Sequence, residues 1–110
     1  MDDVDDVDDE GEYAWPSGPD MPTPEAMRRS WAATARALPV GARVAGVVVG
    51  RQPFGVFILI EDVPNAVGLA EITAMPHGMK LPALGTRVEG EVFWHSHHLQ
   101  VRIRLDEWRR

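Results

Sequence analysis

Apolar and polar positions alternate with a period of two near the C-terminus of the chain. Leu99, Val101, Ile103 and Leu105 alternate with Gln100, Arg102 and Arg104. This is the spacing of a half-buried strand with its arginines on the outer face. Val88-Glu89-Gly90-Glu91-Val92-Phe93-Trp94 alternates in the same way. Upstream lie two nearly continuous apolar runs, Phe54–Ile60 and Ala66–Ile72, separated by two acids and Val63-Pro64-Asn65. Branched and aromatic runs bounded by Gly, Pro, Asn and Asp are strand signals, and the short gap predicts a hairpin. Val44–Val49 reads as a first strand, with Gly46 marking a bend or a close backbone approach. Residues 73–84 read as a short helical turn and a loop, and His95-Ser96-His97-His98 as a polar hairpin tip.

A helical period appears once. Thr23-Pro24-Glu25 supplies a capping hydroxyl, a proline at the first helical position and an acid in the first turn. Met27, Trp31, Thr34 or Ala35, and Leu38 then share one face, while Arg28, Arg29 and Arg36 lie away from it. Pro39 and Gly41 end the pattern. The spacing predicts one helix over residues 24–37 that packs Trp31 onto the strands.

Before the helix the chain repeats Asp-Asp-Val and continues as Asp-Asp-Glu-Gly-Glu. Like charges at that density repel, and two isolated valines bury too little surface to order them. Tyr13–Pro22 is broken by prolines and is expected to stay irregular. The expected organisation is an acidic disordered tail over 1–22, a helix over 23–37 and a barrel domain over 38–110. Clustered carboxylates beside Tyr13 and Trp15 also make the tail a candidate nucleic-acid mimic, able to occupy a basic or aromatic groove of its own chain or a partner.

The 110 residues suffice for one small domain with a modest core. The absence of cysteine excludes disulfides, thiol catalysis and thiolate zinc sites. No apolar run approaches the roughly 20 residues of a membrane-spanning helix. The acidic N-terminus is unlike a secretory signal, so a cytoplasmic location without membrane contact is expected. The net charge of −6 is unevenly placed: residues 1–37 hold ten acids against three arginines, and residues 38–110 hold seven acids against eight bases. The acidity therefore belongs to the tail. A near-neutral domain neither selects nor excludes a polyanionic partner.

No nucleophile elbow, phosphate loop or metalloprotease motif is present. His95, His97 and His98, with Glu71 or Glu91, raise a metal site, but neither a cysteine nor an organised carboxylate set completes it. No enzyme activity, metal or cofactor is expected.

The order of these signals is more specific than any one of them. Gly41-x-x-Val44-x-Gly46-x-Val48 is followed by Pro53-Phe54-Gly55-Val56-Phe57 and Val67-Gly68-Leu69-x-x-Ile72-Thr73. Leu84-Gly85-x-x-Val88-x-x-x-Val92 and Arg102-Ile103-Arg104-Leu105 complete the series. Over residues 38–106 this resembles the S1 RNA-binding domain first described in a ribosomal protein. The resemblance implies an all-β, five-stranded OB-fold, a Greek-key barrel, here preceded by one helix.

In that family, two aromatics of the Phe-Gly-x-Phe block and a histidine of the third strand form a base-stacking platform, completed by an acid and an arginine near the last hairpin. The resemblance implies single-stranded RNA as partner, with Phe54 and Phe57 as the aromatics and Arg102 as the arginine. Glu71 stands at the histidine position, and the acid's position falls near Ser96 in a hairpin two residues longer. Trp94 is a candidate third ring, and Arg51, Arg102 and Arg104 are candidate backbone contacts. Residues three apart on a strand face opposite sides unless the strand bulges, so whether Phe54 and Phe57 share a face stays open.

An alternative is a protein-interaction domain, adaptor or inhibitor, that keeps the barrel without binding RNA. Glu71, the neutral domain and four tryptophans (Trp15, Trp31, Trp94, Trp108) favour it, with the Trp31 helix as a contact. The two readings separate on whether Phe54 and Phe57 lie exposed beside arginines or covered by that helix.

Overall fold

Burial along the strands follows the two-residue period of the sequence. The structure, a computed structural model, describes residues 12–109. Five strands form: β1 (Arg43–Gln52), β2 (Gly55–Ile60), β3 (Val67–Glu71), β4 (Arg87–Ser96) and β5 (Gln100–Leu105). Val44 and Val48 of β1, Val56, Ile58 and Ile60 of β2, Val88 and Val92 of β4, and Val101, Ile103 and Leu105 of β5 point into one interior. Each such aliphatic side chain contributes about 1.5–3 kcal/mol when fully buried.

The strands close into a barrel in the order β1-β2-β3-β5-β4. All neighbours are antiparallel except β3 and β5, which run parallel through Gly68↔Val101 and Leu69↔Arg102. This is the expected all-β, five-stranded OB-fold. A 3-10 turn at Ile72–Ala74 opens the loop between β3 and β4, and another at Asp106–Trp108 follows β5.

The helix α1 spans Pro24–Ala37, as the capping signals predict. The Thr23 hydroxyl accepts a hydrogen bond from the Ala26 amide at 3.0 Å, and the Leu38 amide closes the last turn on the Thr34 carbonyl. Leu38 enters the barrel core, and Trp31 packs against it. His95 meets Trp31 edge-on, with centroids 5.5 Å apart, and donates through Nε2 to the Leu38 carbonyl at 2.6 Å.

The last hairpin differs from its sequence reading. His95 and Ser96 belong to β4, and the tip is His97-His98-Leu99. A register shift between Val92 and Trp94 lets β4 continue to pair as far as Ser96↔Gln100. Leu99, read as the first alternating residue of the strand, instead turns the chain at φ +61 and is exposed.

Ion pairs tie strand ends together. Arg87 forks onto Glu61 at 2.8 and 3.1 Å and reaches Glu89 at 3.1 Å. Arg43 forks onto Asp106, and Arg109 reaches Glu91 at 2.7 Å. Hydrogen bonds from these arginines hold the carboxyls of Glu61 and Asp106 below the usual carboxylate range. Among the described residues no helix is long and apolar enough to cross a membrane.

Candidate nucleic-acid interface

Pro53 and Phe54 turn the chain between β1 and β2, and Gly55 opens β2 at φ +156. A Cβ at Gly55 would stand 2.4 Å from the Ala70 carbonyl oxygen, so only glycine lets the strands meet there. This opening answers the parity question. Phe54 and Phe57 lie together, with centroids 6.0 Å apart and planes at 90°. Phe54 is exposed and Phe57 half-buried.

From Phe57 a row crosses four strands in register: Phe57↔Leu69, Leu69↔Arg102, Arg102↔Trp94. Cross-strand partners project to the same side of a sheet, so these side chains share the outer face. Leu69 is buried yet lies outside the interior cluster, consistent with a place in the middle of this face. Trp94 is 58% exposed at its far end. Arg102 donates to Glu71 Oε1 at 2.6 Å and to Gln100 Oε1 at 3.0 Å. Arg104 is exposed and lies over the Phe93 ring at 5.3 Å.

Solved structures with this barrel exist. Mycoplasma genitalium RNase R matches 70% of the chain at 19% identity with a TM-score of 0.58. The same enzyme in complex with ribose-methylated single-stranded RNA matches 72% at 18% identity and 0.59. MJ1198 of Methanocaldococcus jannaschii matches 61% at 17% identity and 0.51. The fold is a five-stranded OB barrel.

At these identities the likeness is one of fold. The chain spans 15% of the apo RNase R chain and 90% of MJ1198. No family model matches the sequence, and no curated protein matches it.

On this barrel, Arg51 departs from its expected place. It is 2% exposed, and its guanidinium donates to the carbonyls of Pro82 at 3.0 Å and Leu81 at 3.3 Å. Tyr13 lies over it, 5.2 Å from ring centroid to guanidinium carbon. It fastens the β3–β4 loop to β1 instead of offering charge to a phosphate. The histidines have other partners. His95 is engaged by Leu38, His97 and His98 lie 4.2 Å apart, and the His98 amide donates to the buried Ser96 hydroxyl. Among the described residues no group of three or more metal-ligating side chains converges.

The ring contacts of Phe54 and Phe57 come from the segment before the helix carrying Trp31, not from Trp31. The Asp-rich run of the expected tail, up to Gly11, lies outside the described residues. Tyr13–Pro22 forms no helix or strand of its own, but Ala14 bridges Arg51 through two backbone hydrogen bonds of 2.8 and 2.7 Å. Trp15 then rests on both rings, 6.1 Å from Phe54 and 6.0 Å from Phe57. A cavity of about 660 Å³ opens beside it, lined by Trp15, Met21, Pro22, Met27, Phe57, Val67 and Leu99, with Arg28, His98 and Gln100 as polar groups. The sequence flags Trp15 as an aromatic among prolines, but its seat depends on a bridge no local pattern encodes.

Proposed function

We propose that this barrel binds single-stranded RNA on the outer face built from Phe54, Phe57, Leu69, Arg102 and Trp94. The observation that carries the reading is the in-register row from Phe57 to Trp94, with Phe54 held against Phe57. Exposed rings offer π-faces to any base, each worth about 1–3 kcal/mol. Rings at right angles suit two bases splayed apart, a geometry open to a single strand and closed to a stacked duplex. With strands about 4.8 Å apart, the row from Phe57 to Trp94 follows a path of about 14 Å around the outside of the barrel, room for a short single strand that wraps it.

Arg104 contacts the phosphates, joined by Arg102 to the extent that Glu71 leaves it charge to give. With so few cations on the face, binding rests on stacking more than on counterion release, and affinity falls only gently with salt. The role is binding without catalysis. Anisotropy of a labelled single-stranded RNA and of its duplex tests this. Preference for the single strand, lost in Phe57→Ala, is the expected result; equal binding of both, indifferent to Phe57→Ala, overturns it.

A protein-interaction role has one observation in its favour. The aromatic face already accepts a tryptophan of an extended peptide, Trp15, beside a two-bond backbone bridge.

A further inference from the structure

The segment Tyr13–Pro16 is fitted to the barrel at three points. Its backbone exchanges two hydrogen bonds with Arg51 through Ala14, the way an extra strand is added to an edge. Pro16 lies against Gly50, where a Cβ would come within 2.6 Å of the proline ring. Trp15 sits on Phe54 and Phe57 at stacking distance, tilted by 45° and 48°. A bridge, a complementary glycine and an aromatic seat together mark a docked segment, not a passing one.

The seat is nevertheless shallow. Trp15 remains 62% exposed, so little apolar surface is sealed and the ring is displaceable. Upstream of Tyr13 the chain carries eight acids and no base.

We propose that Tyr13–Pro16 is a built-in competitor: Trp15 occupies the base-stacking position on Phe54 and Phe57, and RNA binds by displacing it. This inference rests on the single-stranded RNA reading above. Because the segment is tethered, it acts at high effective concentration and lowers the apparent affinity by the fraction of molecules in which the face is covered.

The test uses the full chain with Trp15→Ala and, separately, Gly50→Ala, which crowds Pro16 and so unseats the segment without altering the Trp15 side chain itself. Single-stranded RNA affinity is expected to rise in both, by about 5- to 150-fold in Trp15→Ala, the span set by one aromatic stacking contact. Saturating RNA added to the unaltered chain is expected to speed hydrogen exchange at the Ala14 amide. If the unaltered chain binds RNA and Trp15→Ala binds equally or more weakly, Trp15 is not a competitor, and the inference falls while the RNA reading stands. If the unaltered chain and both variants all fail to bind, the RNA reading and the inference fall together.

Discussion

Arg102 and Glu71 are joined across β5 and β3 by a 2.6 Å hydrogen bond, with Glu71 two residues beyond Leu69, the strand partner of Arg102. The carboxylate at the position where S1 domains carry a histidine is therefore not a bare charge on the face. It satisfies the arginine that the same face retains, so the attraction of Arg102 and the repulsion of Glu71 for a phosphate largely cancel. Replacing Glu71 by Gln is expected to free Arg102 and raise RNA affinity about two- to fivefold, the range of a part-exposed ion pair. The slope of log affinity against log salt should steepen by about 0.7, one added phosphate contact on a single strand. A salt series on both proteins checks this.

Truncating the rings removes stacking without touching the interior. Phe54→Ala should weaken single-stranded RNA binding by about 1–3 kcal/mol while leaving thermal stability nearly unchanged, because Phe54 lies in an exposed turn. Arg104→Ala should weaken binding to all sequences alike and flatten the salt slope by about 0.7. Paired anisotropy and melting curves separate the two effects.

Trp108 is buried in the core cluster, and its indole Nε1 has no hydrogen-bond partner among the described residues. An unsatisfied buried donor costs about 1–3 kcal/mol. Trp108→Phe removes that donor but leaves a smaller ring, so it should change stability little, whereas Trp108→Ala should cost about 3–5 kcal/mol through its cavity. Urea denaturation of the three proteins measures both.

Acid should loosen the barrel ends. Hydrogen bonds from Arg87 and Arg43 depress the folded-state values of Glu61 and Asp106. Their stabilising contribution is present above the unfolded value of about 4 and is lost as pH falls through the depressed folded values. Both pairs are solvent-exposed, so the contribution is small and weakened by salt. The melting temperature should be level from neutral pH to about 5 and fall below 4, with Asp106→Asn blunting part of the fall.

The fold was legible because each strand carries its own signal. Period-two burial in β5, the β2–β3 hairpin and the Thr23-Pro24-Glu25 helix start are local patterns, and the structure reproduces each. Of the candidate residues named from the sequence, Phe54 and Phe57 lie against each other, Arg102 pairs in register with Trp94, and Arg104 lies exposed over Phe93. The place of Arg51 was not legible, because its burial depends on carbonyls thirty residues away in the β3–β4 loop and on Tyr13. The sequence raised Trp15 only as part of a tail able to occupy an aromatic groove of its own chain or a partner; its actual seat on Phe54 and Phe57 is set by Ala14 meeting Arg51, which no local pattern encodes. The β4 extension through Ser96 follows from a register shift that a polar His-Ser-His-His string conceals.

The account stands on RNA meeting one face of the barrel. The most direct measurement is a titration of the isotope-labelled chain with a short single-stranded RNA, followed residue by residue through amide and aromatic NMR shifts. The account predicts the largest changes at Phe54, Phe57, Leu69, Arg102 and Trp94, accompanied by Ala14 and Trp15 as the docked segment leaves. Changes confined to α1 and the Arg43–Asp106 end of the barrel, with Phe54 and Phe57 silent at saturation, would contradict it.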